Sequence, residues 1–196
     1  MVRVDSQAIK EKRKEILEHQ IIFRLRPLSK KLTISPCGEL RCRTEIGQFR
    51  NAIGDFILRP NNIYAFSFVV ISGTKFKIGV VDKLYVDSLL SSNKKMKGAF
   101  TEEGLGAGVF SYGRVHATKV NFEEKNPGFT VPLCPLDVVT LVVNTYAGTL
   151  GVLINDDLIF PKLITEKWLK EKLMYPAVAM LGDNARLKPT TVALVA

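Results

Sequence analysis

Between residues 135 and 162 the chain reads PLDVVTLVVNTYAGTLGVLINDDLIFPK, three apolar runs separated by two breaks. The runs, at 138–143, 150–154 and 158–160, are filled with valine, leucine and isoleucine, and the breaks carry Gly148 and Asn155-Asp156-Asp157. Branched apolar side chains suit a pleated strand, while Gly, Asn and Asp tolerate the left-handed backbone of tight turns. Each run is too short for a stable helix, so the pattern predicts an antiparallel β-meander.

The same alternation recurs along the chain. Tyr64, Phe66 and Phe68 alternate with Ala65, Ser67 and Val69, predicting a strand over 63–70 with one heavy aromatic face. Ser72-Gly73-Thr74 turns the chain, and Phe76, Ile78 and Val80 then alternate with Lys75, Lys77 and Gly79. Leu32 and Ile34 alternate with polar neighbours, and Pro36-Cys37-Gly38 supplies a turn into a strand at 39–44. An apolar run over 20–26 ends at Pro27, and 115–122, 173–180 and 190–195 read as further strands. Residues 165–172, with Trp168 and Leu169, read as one or two helical turns. At the N-terminus, Asp5 or Ser6 is placed to cap a charged helix to about Gln20. The stretch 82–108 contains Tyr85, a Ser-Ser-Asn-Lys-Lys run and four glycines, and it reads as a long irregular loop. Loops of that length in a compact domain are commonly functional.

Three motifs in this order resemble the SPRY domain family: Lys77-Ile78-Gly79-Val80, Gly148-Thr149-Leu150 followed by Asn155, and Leu173-Met174-Tyr175-Pro176-Ala177-Val178. Leu136-Asp137-Val138-Val139 stands where the family has Gly-Asp and two apolar residues, so Leu136 replaces a glycine. Asp156 likewise replaces the glycine after Asn155, and Phe110 and Tyr112 stand where a tryptophan is usual. The resemblance covers about 31–195. It implies a mainly β fold, a bent two-sheet antiparallel β-sandwich of the concanavalin-like kind, with an N-terminal α-helix added. The implied division is a basic helical extension over 1–26 and a SPRY-like domain over 27–196.

The resemblance also implies a non-catalytic module that binds proteins through loops at one edge of the sandwich. Matching that edge to this chain selects Tyr85 and Phe100 in the 82–108 loop and Leu181, Asp183 and Asn184 in a later turn. Tyr64, Phe66, Phe68 and Tyr175 are expected in the core. Catalysis has little to build on: the two histidines, His19 and His116, lie far apart, and no Gly-x-Ser-x-Gly elbow occurs. The glycines at 104–108 lack the Gly-Lys-Ser/Thr ending of a phosphate cradle. Cys37, Cys42 and Cys134 have no zinc-site spacing, so no metal or cofactor is expected and the thiols read as reduced and intracellular. A sugar-binding reading lacks the acidic metal loop that would support it.

Charge narrows the partner. Lys and Arg number 28 against 19 Asp and Glu, a formal charge of +9. A basic surface attracts acidic proteins, nucleic acid or anionic membranes. Lys10, Lys12, Arg13 and Lys14 on the N-terminal helix and Lys94, Lys95 and Lys97 in the long loop are the expected basic surface. No apolar run approaches the ~18 residues of a membrane span, and no secretory signal is visible. The expectation is a structural or adaptor subunit of a larger cytoplasmic, multi-subunit assembly, of a cytoskeletal or ciliary kind, with protein partners of acidic surface. The alternative is a nucleic-acid-binding protein in which Lys30, Lys31, Arg41, Arg43 and Arg50 gather with Lys94, Lys95 and Lys97 on one side. No RRM, KH or zinc-finger signature accompanies it.

Overall fold

The strands the alternation demands must bury one face each, and they do so against one another. The structure, a computed structural model, describes residues 23–43, 47–96, 98–113, 115–117, 132–182 and 184–195, the side chains of 116, 158–163 and 195 excepted. In chain order the strands are β1 (Leu25–Pro27), β2 (Leu32–Ile34), β3 (Leu40–Cys42), β4 (Arg50–Gly54), β5 (Ile63–Ser72), β6 (Phe76–Asp82) and β7 (Gly106–Phe110). They continue as β8 (Val115–Ala117), β9 (Val138–Asn144), β10 (Thr149–Ile154), β11 (Asp157–Thr165), β12 (Met174–Met180) and β13 (Arg186–Val195). Two helices occur among the described residues, α1 (Lys83–Ser91) and α2 (Trp168–Glu171). One sheet has the order β1-β4-β12-β6-β7-β8 and the other β11-β10-β9-β5-β13-β3-β2. The described strand pairs are antiparallel. This is the mainly β two-sheet sandwich expected from the sequence.

The core lies between the sheets, where the two-residue period puts every second side chain. Phe66 and Phe68 of β5, Leu141 and Val143 of β9 and Leu150 of β10 are fully buried with Phe76, Ile78 and Val80 of β6 and Val178 and Met180 of β12. Four phenylalanines meet edge-on within it: the Phe23 ring lies 5.4 Å from Phe56, 6.2 Å from Phe66 and 5.4 Å from Phe68. Such contacts add about 0.5–1.5 kcal/mol to the burial itself. Phe23 is 2% exposed, and β1 pairs with β4. The core of the sandwich therefore reaches back to Phe23, four residues before the boundary expected at residue 27. The charged helix expected over 5–20 lies outside the described residues.

The meander forms as read, with β9, β10 and β11 consecutive in the sheet. Gly148 turns at φ +68°, and Asn155 and Asp156 at +51° and +73°. Two successive left-handed residues make the hairpin turn whose twist fits the flanking strands. Asn155 also ties the turn to the entry of β9. The Val138 backbone N–H donates to Asn155 Oδ1 at 2.9 Å, Asn155 Nδ2 donates to Asp137 Oδ1 at 2.7 Å, and the Cys134 N–H donates to Asp137 Oδ2 at 2.7 Å. Leu136, between them, holds φ +76° with its side chain 78% exposed.

The stretch 82–108 departs from expectation. It is not an irregular loop: α1 occupies 83–91 and β7 begins at Gly106. Asp82 starts the helix, its Oδ1 accepting from the Leu84 N–H at 3.1 Å, and Lys83 pairs with Asp87 one turn on. The aspartate cap was the available signal. Its weight was lost among the Ser, Asn and Gly residues that follow. Strand β13 also begins at Arg186, four residues before the position read from the sequence.

Replacing Phe23 by alanine should cost about 3–5 kcal/mol, as for large core truncations, measured by urea unfolding. A residue merely preceding the domain would cost almost nothing. Leu136→Gly should raise stability by roughly 0.5–1 kcal/mol in the same assay. The left-handed backbone costs a branched residue ~1–2 kcal/mol, and glycine's extra chain entropy offsets part of that gain.

Candidate interaction surface

Alternation along β12 sends Val178 and Met180 inward, so Ala177 and Ala179 face out. Register puts Ala179 opposite Asn51 of β4 and Lys77 of β6, and Lys77 opposite Phe110 of β7. The outer face of the six-stranded sheet is thus floored by small residues, and the chain after α1 lies down upon it. A Cβ on Gly106 would stand 2.1 Å from the Phe100 carbonyl oxygen, so only glycine permits that approach.

Two polar side chains pin the covering segment. Asn51, itself buried, donates from Nδ2 to the Gly98 carbonyl at 2.8 Å and accepts from the Phe100 N–H at 2.9 Å. The Lys77 ammonium donates to Thr101 Oγ1 at 3.2 Å and Glu102 Oε1 at 2.8 Å, and lies 4.7 Å from the centre of the Phe49 ring. The Lys77 side chain is only 4% exposed, so these contacts compensate the charge it brings out of water. Phe100 is 0% exposed, packed with Ile53, Val81, Val86, Ala177 and Ala179. The expectation that Phe100 anchors a partner is corrected: its ring is a core side chain of this second cluster. Tyr85 is half-buried against the same cluster, and its hydroxyl donates to Glu103 Oε2 at 2.7 Å. Burial first, then that bond, pushes the Tyr85 phenol well above its ordinary range.

What remains open is the far end of β6. Phe49 stacks edge-on to Phe110 at 6.2 Å, and Phe110 lies 5.2 Å from Tyr112. Phe49 and Phe110 are half-exposed and Tyr112 is 44% exposed, its hydroxyl donating to Thr74 Oγ1 at 3.0 Å. Leu181 joins this end through its N–H to the Lys75 carbonyl at 2.8 Å. Asn184 is exposed nearby, its carbonyl accepting from Ser72 Oγ at 2.6 Å. Asp183 lies outside the described residues. Leu181 and Tyr85 therefore sit at opposite ends of β6, roughly 20 Å apart at ~3.3 Å per residue, not on one surface. Phe49 and Tyr112, which join Leu181, were not singled out as contacts by sequence; β-pairing across distant segments brings them together.

The basic residues also divide. Lys10, Lys12, Arg13, Lys14 and Lys97 lie outside the described residues, and Lys94 and Lys95 are exposed beyond α1. Arg50 belongs to β4, whereas Arg41 stands in β3 of the other sheet. Arg41 is paired with Arg186 of β13, and the Arg43 N–H donates to the Lys31 carbonyl at 2.8 Å. Glu39 is buried beside the two arginines, with Oε2 2.9 Å from Arg41 Nη2 and Oε1 3.7 Å from Arg186 Nε. Cys37 is exposed at this corner, its thiol held below the ordinary value by the Ser35 hydroxyl and the Glu39 backbone. Among the described residues no cluster of His, Cys, Asp and Glu fits a metal ion, and no helix is long and apolar enough to cross a membrane.

No family model matches the sequence, and no curated protein sequence matches it. Solved structures do match. The SPRY domain of human HERC1 superposes with a TM-score of 0.57 at 15% identity, over 83% of this chain and 93% of that one. The TRIM65 PSpry domain gives 0.59 at 11% identity, over 90% and 94%. A seed lectin of Lotus tetragonolobus gives 0.54 at 12% identity, over 88% and 92%. The chain thus has the concanavalin-like sandwich fold, and its likeness extends to SPRY domains. At these identities the shared property is the fold.

Asn51→Ala leaves a buried N–H and carbonyl of the covering segment without their partner. It should cost about 1–3 kcal/mol. Hydrogen exchange should speed up at Phe100 while the amides of β6 stay protected.

Proposed function

We propose that this chain is a non-catalytic protein–protein interaction module that grips its partner at the open end of the six-stranded sheet. The observation that carries the reading is the half-exposed row Phe49, Phe110 and Tyr112 beside Leu181, next to the part of that outer face that the chain's own 98–102 segment covers. Aromatic side chains at a rim, with water excluded around them, are the usual source of binding energy at interfaces. The SPRY-like fold supports the same reading, since the family resemblance implies binding through loops at one edge. Leu181 and Asn184 keep their place as contacts; Tyr85, braced against Glu103, supports the cover instead.

A non-enzymatic role agrees with the setting of Ser111, between Phe110 and Tyr112. Ser111 is buried, and its hydroxyl donates to the Thr74 carbonyl, so it is committed to the turn. In this reading the module is a cytoplasmic subunit of a larger assembly, of a cytoskeletal or ciliary kind. The charged segment before Phe23, with Lys10, Lys12, Arg13 and Lys14, is a second point of attachment, and exposed Lys94 and Lys95 assist an acidic partner.

Capture from native lysate at about 0.1 M and about 0.5 M salt separates apolar docking from screened charge. A defined protein should survive the higher salt and should be lost with Tyr112→Ala/Leu181→Ala, a change of about 2 kcal/mol or more if these are anchors. Deletion of residues 1–22, which leaves the Phe23 core contact in place, tests the second attachment. Recovery of nucleic acid alone, or of nothing at the higher salt, would overturn the reading.

A further inference from the structure

The outer face of the seven-stranded sheet carries a second, separate feature at its β2–β3–β13 corner. Strand alternation buries Leu40 and Leu187 and turns Arg41, Arg186 and Lys188 the other way. Arg186 stands opposite Arg41, which stands opposite Thr33. Lys31 and Arg43 are both exposed, joined backbone to backbone one step further along. Five cations thus share one face, and among the described residues Glu39 is the carboxylate that pairs with them. Like charges on directly facing strand residues destabilise a sheet. Glu39 relieves this by sitting buried beside the two guanidinium groups, hydrogen-bonded to Arg41 and within ion-pair distance of Arg186.

We infer that this corner docks an extended, acidic segment of a partner protein, one with Asp or Glu at alternate positions. The inference rests on the interaction-module reading above and names a surface and a chemistry for it. Charge complementarity selects the occupant. Residues two apart on a strand, such as Arg41 and Arg43 or Arg186 and Lys188, are spaced ~6.6 Å apart, and so are the same-side carboxylates of an extended peptide. The planar forks of the half-exposed Arg41 and the exposed Arg186 suit planar carboxylates. Nucleic acid is the poorer fit. The face offers no described aromatic ring on which a base could stack: its named positions besides the cations are Thr33, Ser72 and Val69. It is also the face of a sheet, with no protruding helix or ribbon to enter a groove.

The test is fluorescence anisotropy on the full chain, using a labelled peptide of alternating Glu and Ser, its neutral counterpart with Gln at every Glu, and single- and double-stranded DNA of equal charge. The variants are Lys31→Glu/Arg43→Glu/Lys188→Glu and the milder Lys31→Gln/Arg43→Gln/Lys188→Gln, which leave the Glu39 pairs intact, with Tm as the folding control. The acidic peptide should bind and the neutral one should not. Charge reversal should weaken binding roughly tenfold or more at about 0.1 M salt, with the neutralised variant between. Equal binding by wild type and both variants overturns the inference, as does tighter binding of DNA that the same variants abolish, or no binding of any probe. If Tyr112→Ala/Leu181→Ala loses a captured partner while the corner variants bind peptide like wild type, the corner fails and the module reading stands. The reverse pattern, corner-dependent peptide binding with no partner captured, sinks the module reading alone.

Discussion

Phe66 and Phe68 lie two residues apart on β5, and their rings meet edge-on 6.0 Å apart. That spacing forces both to the same side of the strand, and β5 is held between β9 and β13. Whatever closes the other side of the core must therefore fit two large rings. Phe23 and Phe56, from segments flanking β1 and β4, do so at right angles, and the second sheet is seated through them. Edge-to-face rings resist sliding, because the positive rim of one must stay on the negative face of another. The angle and distance of the two sheets, and hence everything mounted on their rims, follow from this contact.

The outer face of the six-stranded sheet obeys a different rule. Ala177, Ala179 and Gly106 remove side-chain volume from a region where a sheet would ordinarily present polar groups to water. The backbone of 98–102 fills the space, and Asn51 and Lys77 satisfy its polar atoms. Dispersion and burial favour the arrangement, but its specificity comes from two hydrogen-bonded side chains reaching out of the sheet. Because the cover ends short of Phe110 and Tyr112, the aromatic rim is left as the uncovered part of one continuous face.

Most of the fold was legible because strand period and turn chemistry are local. The meander could be read from Gly148 and Asn155, the core face of β5 from its aromatics, and the family likeness from three short motifs in order. The positions at which the sequence departs from that likeness, Leu136 and Asp156, proved to keep the left-handed backbone that a glycine would have eased. Less of the site was legible. Phe100 resembles an exposed anchor in sequence, since nothing nearby announces the small-residue floor contributed by β12, some eighty residues away. Arg41 and Arg186 are likewise neighbours only through β3–β13 pairing. A nine-residue helix was hidden because its one clear signal, Asp82 as cap, is followed by residues typical of loops.

The outermost strands deserve comparison. β1 and β2 each span three residues, β1 ends in Pro27, and β11 carries Pro161 and two shifts of register against β10. A proline offers no N–H to a neighbouring chain, and a shifted ladder spoils the repeat that a second strand would need. Unpaired strand margins invite copies of a protein to join through their backbones. Margins as brief or broken as these give such joining little length on which to grow. In the proposed module, recognition is then left to side chains, which discriminate among partners, and withheld from the main chain, which does not.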